Sequence, residues 1–249
     1  MRALALLSLV GCDELIGISE PDGDADTDTD SDTDTDTDTD VDTDEPVQIQ
    51  GTIHFEAPPP GCALDCFLDY DAPLVLPVRY HRVALRGADG EIVDEVATDA
   101  DGTFSFDYAG PETQGSLYVY ADATLPGERA RIRIEDNTDG LLWGSGLGEV
   151  DLTAPVDLDL LIEDGWNGSA YTHRASGPFA ITDSVLEISE RYLSADPSYD
   201  LEDLTVFWSP DNRPEDGDES IGEIGTSFYR HSERAIYLLG AVDVDTDEF

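Results

Sequence analysis

Residues 98–106, Thr98-Asp-Ala-Asp-Gly-Thr-Phe-Ser-Phe106, decide the fold. An Asp-Gly turn comes first, and Phe104 and Phe106 then stand at alternate positions, which is the period of a strand with one buried face. Val47–Phe55 shows the same alternation, with an apolar residue or glycine at every second position. The turn and the two alternating segments together predict β structure for this part of the chain.

Short runs of the same kind lie on both sides of this stretch, and turn residues separate them. They cover Leu74–Leu85, Glu91–Val96, Gly115–Ala121 and Ala130–Glu135, and Leu141–Ile162 holds further strand-like residues. Strands this short, with Asp-Gly turns between them, are typical of an antiparallel β-sandwich. We therefore predict a mainly β protein whose sandwich spans residues 47–165.

Four short motifs in this region resemble a carboxypeptidase-regulatory-like domain. They are Gly51-Thr-Ile53, Val83-Ala-Leu85, Asp89-Gly90 and Thr98–Phe106. The family has a transthyretin-like β-sandwich and is common on exported proteins, so the resemblance, over about residues 48–135, implies a non-catalytic spacer or interaction module. The insertion around Cys62 and Cys66 departs from the family pattern.

The last part of the chain, residues 178–249, predicts a small α+β segment with one helix and three strands. Pro178–Ser194 is the helix, because Pro178 suits a first turn and apolar residues recur at helical spacing. That stripe consists of Phe179, Thr182, Leu186, Ser189 and Leu193, joined by Val185 and Tyr192. The predicted strands are Leu204–Trp208, Thr226–Tyr229 and Ala235–Leu239, the last two forming a hairpin.

The order of these elements resembles the start of a zinc metallopeptidase domain. The resemblance rests on Phe207-Trp-Ser-Pro-Asp-Asn212, Gly225-Thr-Ser-Phe-Tyr229 and Ile236-Tyr-Leu-Leu-Gly240. It implies that a segment like Asp243–Phe249 leads into a helix with His-Glu-x-x-His, which holds zinc and activates water. The 249 residues contain no such motif. We therefore assign no catalytic residue, no metal ligand and no cofactor, and we expect zinc only if a longer product exists.

The histidines, carboxylates and tryptophans of the chain give no stronger candidate for a functional site. His54, His81, His173 and His231 include no i, i+4 pair, so we expect surface or loop residues and not metal ligands. The alternative to a truncated metallopeptidase is a complete non-enzymatic lipoprotein whose sandwich binds a protein or glycan partner. Trp166 and Trp208 are candidates for such a binding face, although Trp208, inside an apolar strand, fits the core better.

The first 12 residues predict export and lipid anchoring. Arg2 precedes an apolar run from Ala3 to Val10, which is typical of a secretory signal peptide over residues 1–11. Leu9-Val-Gly-Cys12 resembles the lipobox of bacterial lipoproteins, which implies that Cys12 carries lipid and becomes the new N-terminus. The expected location is periplasmic or cell-surface, with the membrane as a partner through Cys12.

Residues 12–46 predict a disordered acidic linker. Eleven aspartates occupy every even position from Asp24 to Asp44, mostly alternating with threonine. Neither face of such a segment is apolar, and its charges repel one another, so it cannot bury enough surface to offset its ordering entropy. We expect a spacer between the membrane and the folded part.

The remaining two cysteines predict one disulfide. Export makes an oxidising compartment the expected environment, and Cys62 and Cys66 are the pair left once Cys12 carries lipid. A metal site is the alternative, but two sulfurs without a second Cys or His pair make a poor one.

The charge of the chain excludes one class of partner. The formal net charge is -45, with 57 acidic residues and 12 basic residues. Such a protein repels phosphate backbones, so we exclude nucleic acid as a partner.

Overall fold

The computed structural model describes residues 45–59 and 68–241, all of which belong to one compact unit. The described residues form two β-sheets and one long helix, so the prediction of a mainly β sandwich followed by a helix and three strands is confirmed. The bounds of the strands are β1 Val47–Ala57, β2 Leu74–Pro77, β3 His81–Gly87, β4 Ile92–Ala97, β5 Thr103–Tyr108, β6 Gln114–Thr124, β7 Arg131–Glu135, β8 Gly144–Asp151, β9 Val156–Ile162, β10 Leu204–Trp208, β11 Phe228–Arg230 and β12 Ala235–Leu238. The helix α1 is Gly177–Ala195, and a short 3-10 helix covers Glu219–Ile221.

The small sheet has four strands with β1 at its centre. β2 and β5 pair antiparallel with β1 along successive parts of its length, and β9 pairs with it in parallel. The alternation predicted for β1 is present, since Ile49, Ile53 and Phe55 are buried on one face. These side chains form the inner layer of the sandwich.

The large sheet has eight strands in the order β11-β12-β10-β7-β6-β3-β4, with β8 paired to β6. Its inner face buries Val83, Leu85 and Val119 against the small sheet. Strand β8 lies within Leu141–Ile162, the stretch that was predicted to hold further strand residues.

The described parts of the two predicted segments, 47–165 and 178–249, share one sheet and one core. β10 pairs in parallel with β7, with Val206 opposite Ile134. Trp208 at the end of β10 is fully buried in the cluster that contains Ile49 and Phe106. The expectation that Trp208 belongs to the core is therefore confirmed.

Three details differ from the sequence prediction. Leu74–Leu85 is not one strand but two, β2 and β3, because the chain turns between them at Tyr80, which has a φ of 63°. The sandwich is not purely antiparallel, because β1 with β9, β7 with β10 and β10 with β12 are parallel pairs. His81 is not a surface or loop residue, because it lies in β3 and is buried.

The turn in residues 98–106 is built as its sequence predicts. Asp99 Oδ1 accepts hydrogen bonds from the backbone nitrogens of Asp101 and Thr103, both at 2.9 Å. Gly102 has a φ of 79°, and a Cβ there would lie 2.5 Å from the carbonyl oxygen of Ile53. Gly102 is therefore required both by its backbone angle and by the close approach of β1.

Replacing Gly102 with alanine tests this requirement. Gly90→Ala is the matched control, since Gly90 has a φ of 84° but no atom within 4 Å of a Cβ. Both variants bear the left-handed strain of about 1 kcal/mol, and Gly102→Ala adds the clash with β1. We expect urea unfolding to show Gly102→Ala less stable than Gly90→Ala by about 1 kcal/mol or more. Equal losses would mean that the contact with β1 is not tight.

Candidate functional site

An apolar groove lies between α1 and the β10–β12 part of the large sheet. Its volume is about 310 Å³. The side chains that define it are Val185, Ile188 and Tyr192 of α1, Leu204 of β10, Tyr229 of β11 and Ile236 of β12. We call this set the apolar groove.

The apolar groove exists because the large sheet is wider than the layer that covers it. The small sheet covers one part of its inner face, and α1 packs beside it, chiefly on β7, β6 and β1. Beyond α1, the inner face of β10 and β12 carries Leu204 and Ile236, which are only partly buried. An apolar sheet face is normally covered by another layer.

Three apolar side chains in the groove are more than half exposed. Ile188 is 57% exposed, Tyr192 58% and Tyr229 54%. Isolated exposed apolar residues are ordinary, but a contiguous set beside a groove is typical of a docking surface. The apolar groove is therefore the strongest candidate for a binding site of polypeptide.

Helix α1 has two apolar stripes, whereas the sequence analysis predicted one. Phe179, Thr182 and Leu186 of the predicted stripe are buried against the sandwich. Tyr192, placed in the same stripe, is exposed and stacks on Tyr199 at 5.8 Å between ring centroids. Ile188 was missed because it lies outside the predicted stripe. Spacings of three and four residues from Val185 through Ile188 to Tyr192 could have revealed the second stripe.

A polar cleft of about 510 Å³ lies on the outer face of the large sheet. Asp122 stands in its wall and is almost completely buried between Arg82 and Arg131, which both donate hydrogen bonds to it. Burial favours the neutral acid, but the hydrogen bonds and charges of the two guanidiniums outweigh it and hold the pKa of Asp122 below its usual range. Asp122 thus forms a structural ion-pair cluster that fixes both arginines.

His81 is buried beside the first turn of α1. Its Nδ1 lies 2.7 Å from the carbonyl oxygen of Arg79, and its ring centroid is 5.3 Å from that of Phe179. Nε2 is buried and has no hydrogen-bond partner among the described residues. Burial lowers the pKa of His81 to about 4, so the ring is neutral at neutral pH. The other histidines lie elsewhere: His54 in β1, with His173 and His231 exposed.

The predicted lipid and disulfide residues, Cys12, Cys62 and Cys66, lie outside the described residues. The two segments that flank residues 60–67 are joined by a hydrogen bond, in which the backbone nitrogen of Asp69 donates to the carbonyl oxygen of Pro59 at 2.8 Å. The segment Asp243–Phe249 also lies outside the described residues. Within residues 45–59 and 68–241, no group of three or more His, Cys, Asp or Glu side chains is placed to hold a metal ion.

Trp166, the other tryptophan considered for a binding face, belongs to an aromatic cluster. Its ring lies 5.1 Å from Tyr70 and 5.3 Å from Tyr171, measured between centroids. Its indole nitrogen donates to Asp71 at 3.0 Å. The cluster joins the 163–175 connection to the segment before β2, a contact that the sequence did not predict.

The chain matches no protein-family model, and no curated protein matches it significantly in sequence. In the described part of the chain, no helix has both the length and the apolar character needed to cross a bilayer.

Replacing Ile188 with glutamate tests whether the groove is an accessible apolar surface. The matched control is Ile92→Glu, since Ile92 is 46% exposed but lies in β4, away from the groove. A dye that fluoresces on apolar protein surfaces is added to each protein. Its fluorescence with Ile188→Glu should be roughly half of that with the parent chain, and with Ile92→Glu it should equal that of the parent chain. Both variants should keep the thermal midpoint of the parent chain within a few degrees. Equal dye binding by both variants would contradict the assignment.

Proposed function

We propose that this chain is a membrane-tethered extracytoplasmic lipoprotein whose folded unit provides a docking surface for a helix. The observation that carries the docking role is the apolar groove, where Ile188, Tyr192 and Tyr229 are more than half exposed. The tether is supported by the signal-peptide pattern, Cys12 and the acidic segment that follows it.

An amphipathic helix is the occupant that fits the groove. The groove runs along α1. Its walls are mainly aliphatic and aromatic side chains of α1, β10, β11 and β12, and the charged residues Glu202, Asp203 and Arg234 also line it. Helices packed side by side on a sheet lie about 10 Å apart, which is the spacing at which a second helix would contact both α1 and the sheet. Burying the three exposed side chains would contribute several kcal/mol of apolar transfer free energy, at about 1.5–3 kcal/mol for each fully buried side chain.

The direction of the chain supports a helix that runs beside α1. The backbone nitrogens of Gly240 and Ala241 both donate to the carbonyl oxygen of Asn212, which fixes the chain just beyond β12. Arg174, shortly before α1, donates to the carbonyl oxygen of Gly240, so this point lies where α1 begins. A helix that started nearby and returned along the sheet would lie over the apolar groove, parallel to α1.

The first candidate function is the front part of a surface zinc metallopeptidase. The helix and three strands of residues 178–249 stand in the order that the resemblance requires, and the docked helix would be the one that bears His-Glu-x-x-His. The chain by itself would then be catalytically incomplete and would hydrolyse no peptide. Zinc would belong to a longer product.

The second candidate is a non-enzymatic surface lipoprotein that binds a protein or glycan. It is favoured by the cluster of Tyr70, Trp166 and Tyr171, because aromatic rings with nearby polar groups are common in binding sites. The genomic sequence after codon 249 distinguishes the candidates. A His-Glu-x-x-His helix in frame, or one frameshift away, supports the peptidase; a stop with no such motif nearby supports the binding protein.

The tether is tested by replacing Cys12 with serine. The expected result in bacterial cells is loss of fatty-acid labelling and of the membrane-bound fraction, because serine has no thiol to acylate. Cys62→Ser is the control and should keep both the label and the membrane fraction. Labelling and fractionation of the three proteins side by side make the measurement. Persistence of the Cys12→Ser protein in the membrane fraction, with label, would overturn the anchor assignment.

A further inference from the structure

The polar cleft and the apolar groove meet at one end of the large sheet. Ala130 and Asp203 line both of them. Ala130 comes directly before β7 and Asp203 directly before β10, so the two concavities meet where these parallel strands begin. A partner that lies in the groove therefore has the cleft within reach at this end.

The same end of the sheet lies beside the C-terminal end of α1. Arg129, in the turn before β7, donates to the carbonyl oxygens of Pro197 and Tyr199 at 2.6 and 3.0 Å, just after α1 ends at Ala195. Tyr192, in the last turn of α1, lines the groove. Since the proposed docked helix runs parallel to α1, its C-terminal end would point towards the polar cleft.

The polar cleft has an excess of negative charge. Its charged lining consists of two guanidiniums and four carboxylates, from Arg82, Arg131, Glu95, Asp122, Glu128 and Asp203. Asp122 pairs with both arginines and Glu95 pairs with Arg82, so the positive charges are balanced inside the cleft. Glu128 and Asp203 are in excess.

These two carboxylates are open to a ligand. Both residues are exposed, and neither forms an ion pair within residues 45–59 and 68–241. One carboxylate oxygen of Asp203 accepts a hydrogen bond from the backbone nitrogen of Arg131 at 2.8 Å, which fixes its position. Glutamate 202, the other carboxylate at this end of the groove, already pairs with Arg234 at 3.2 Å. The unbalanced negative charge therefore lies at the cleft and not along the groove.

The turn between β6 and β7 holds Glu128 beside the cleft. Its φ is 55°, in the left-handed region that a residue with a side chain seldom adopts. The backbone nitrogen of Leu125 donates to the carbonyl oxygen of Ala130 at 2.9 Å, which closes the turn around Glu128. Such a conformation persists where the surrounding structure fixes it. The carboxylate is thus presented from a defined turn and not from a loose loop.

We propose that the helix docked in the apolar groove carries a lysine or arginine in its last turn, and that the polar cleft takes this side chain against Glu128 and Asp203. This inference rests on the proposed helix docking and names the class of helix that docks. The apolar stem of a long basic side chain packs on apolar surface while its charged end stays among polar groups, which suits the junction at Ala130. A basic last turn is also stabilised by the negative end of its own helix dipole.

Fluorescence anisotropy of labelled synthetic helices with the full chain tests the proposal. Salt is kept at about 0.05 M, where charges are weakly screened. The probes are three amphipathic peptides as long as α1, 19 residues, with the same apolar stripe. One has two lysines in its last turn, one has them in its first turn, and one has glutamines in place of the lysines.

The test variant combines Glu128→Gln with Asp203→Asn, which removes both charges and keeps an oxygen to accept from Arg131. It should bind the peptide with last-turn lysines about fivefold more weakly than the parent chain does, because two ion pairs are lost. The other two peptides should bind it almost as they bind the parent chain. The control combines Glu149→Gln with Asp107→Asn, two exposed carboxylates on β8 and β5, and should leave the binding of all three peptides unchanged.

Three results would overturn the proposal: no effect of the test variant on the peptide with last-turn lysines, an equal effect of the control, or an equal effect on the peptide with first-turn lysines. If the glutamine peptide still binds and Ile188→Glu prevents that binding, helix docking stands and only this inference fails. If no peptide binds the parent chain at millimolar concentration, both fail. Thermal unfolding verifies that each variant is folded, and the single substitutions replace the test variant if it does not fold.

Discussion

The parallel pairing of β7 with β10 is the interaction on which the rest of the structure depends. It places Val206 opposite Ile134 and joins two segments that are about 70 residues apart in sequence into one sheet. Trp208 then enters the core, and Trp143 donates its indole N–H to the carbonyl oxygen of Trp208 at 2.8 Å. Without this pairing, β10 to β12 would be a sheet of three short strands with little core of its own.

The same pairing creates the surface to which the proposed function is assigned. By adding β10, β12 and β11 to a sandwich that is already covered on its inner face, it extends the large sheet beyond the small sheet and α1. The added strip keeps an apolar inner side, since Leu204 and Ile236 face the groove. A sheet that is wider than the layer covering it has an exposed apolar margin, and that margin is the surface to which the proposed docking role is assigned.

Local patterns predicted most elements, because the alternation of apolar residues is set by the buried face of each strand. The helix and the strands of residues 204–239 were also predicted within one or two residues of their ends. The parallel pairings could not be predicted, since the partner of β10 is chosen by tertiary packing and not by its own sequence. The break at Tyr80 was missed because a positive φ at a tyrosine has no sequence signal.

The candidate sites were less predictable than the fold. The sequence was searched for catalytic and metal-binding motifs, whereas the apolar groove arises because part of the sheet has no covering layer. Ile188 is significant because it remains 57% exposed among the described residues. Such exposure depends on which strands become neighbours, so it is visible only once the sheet order is known. Trp166 was named as a candidate, but its partners Tyr70 and Tyr171 come from distant parts of the chain.

Native-state hydrogen exchange of the full chain tests most directly whether the two segments form one unit. If the pairing of β7 with β10 joins them, the slowest amides of β6, β7 and β10 should exchange with the same free energy, that of global unfolding. Exchange from β10 and β12 with a free energy several kcal/mol lower than that of β6 would contradict this account, because the C-terminal strands would then open independently of the sandwich.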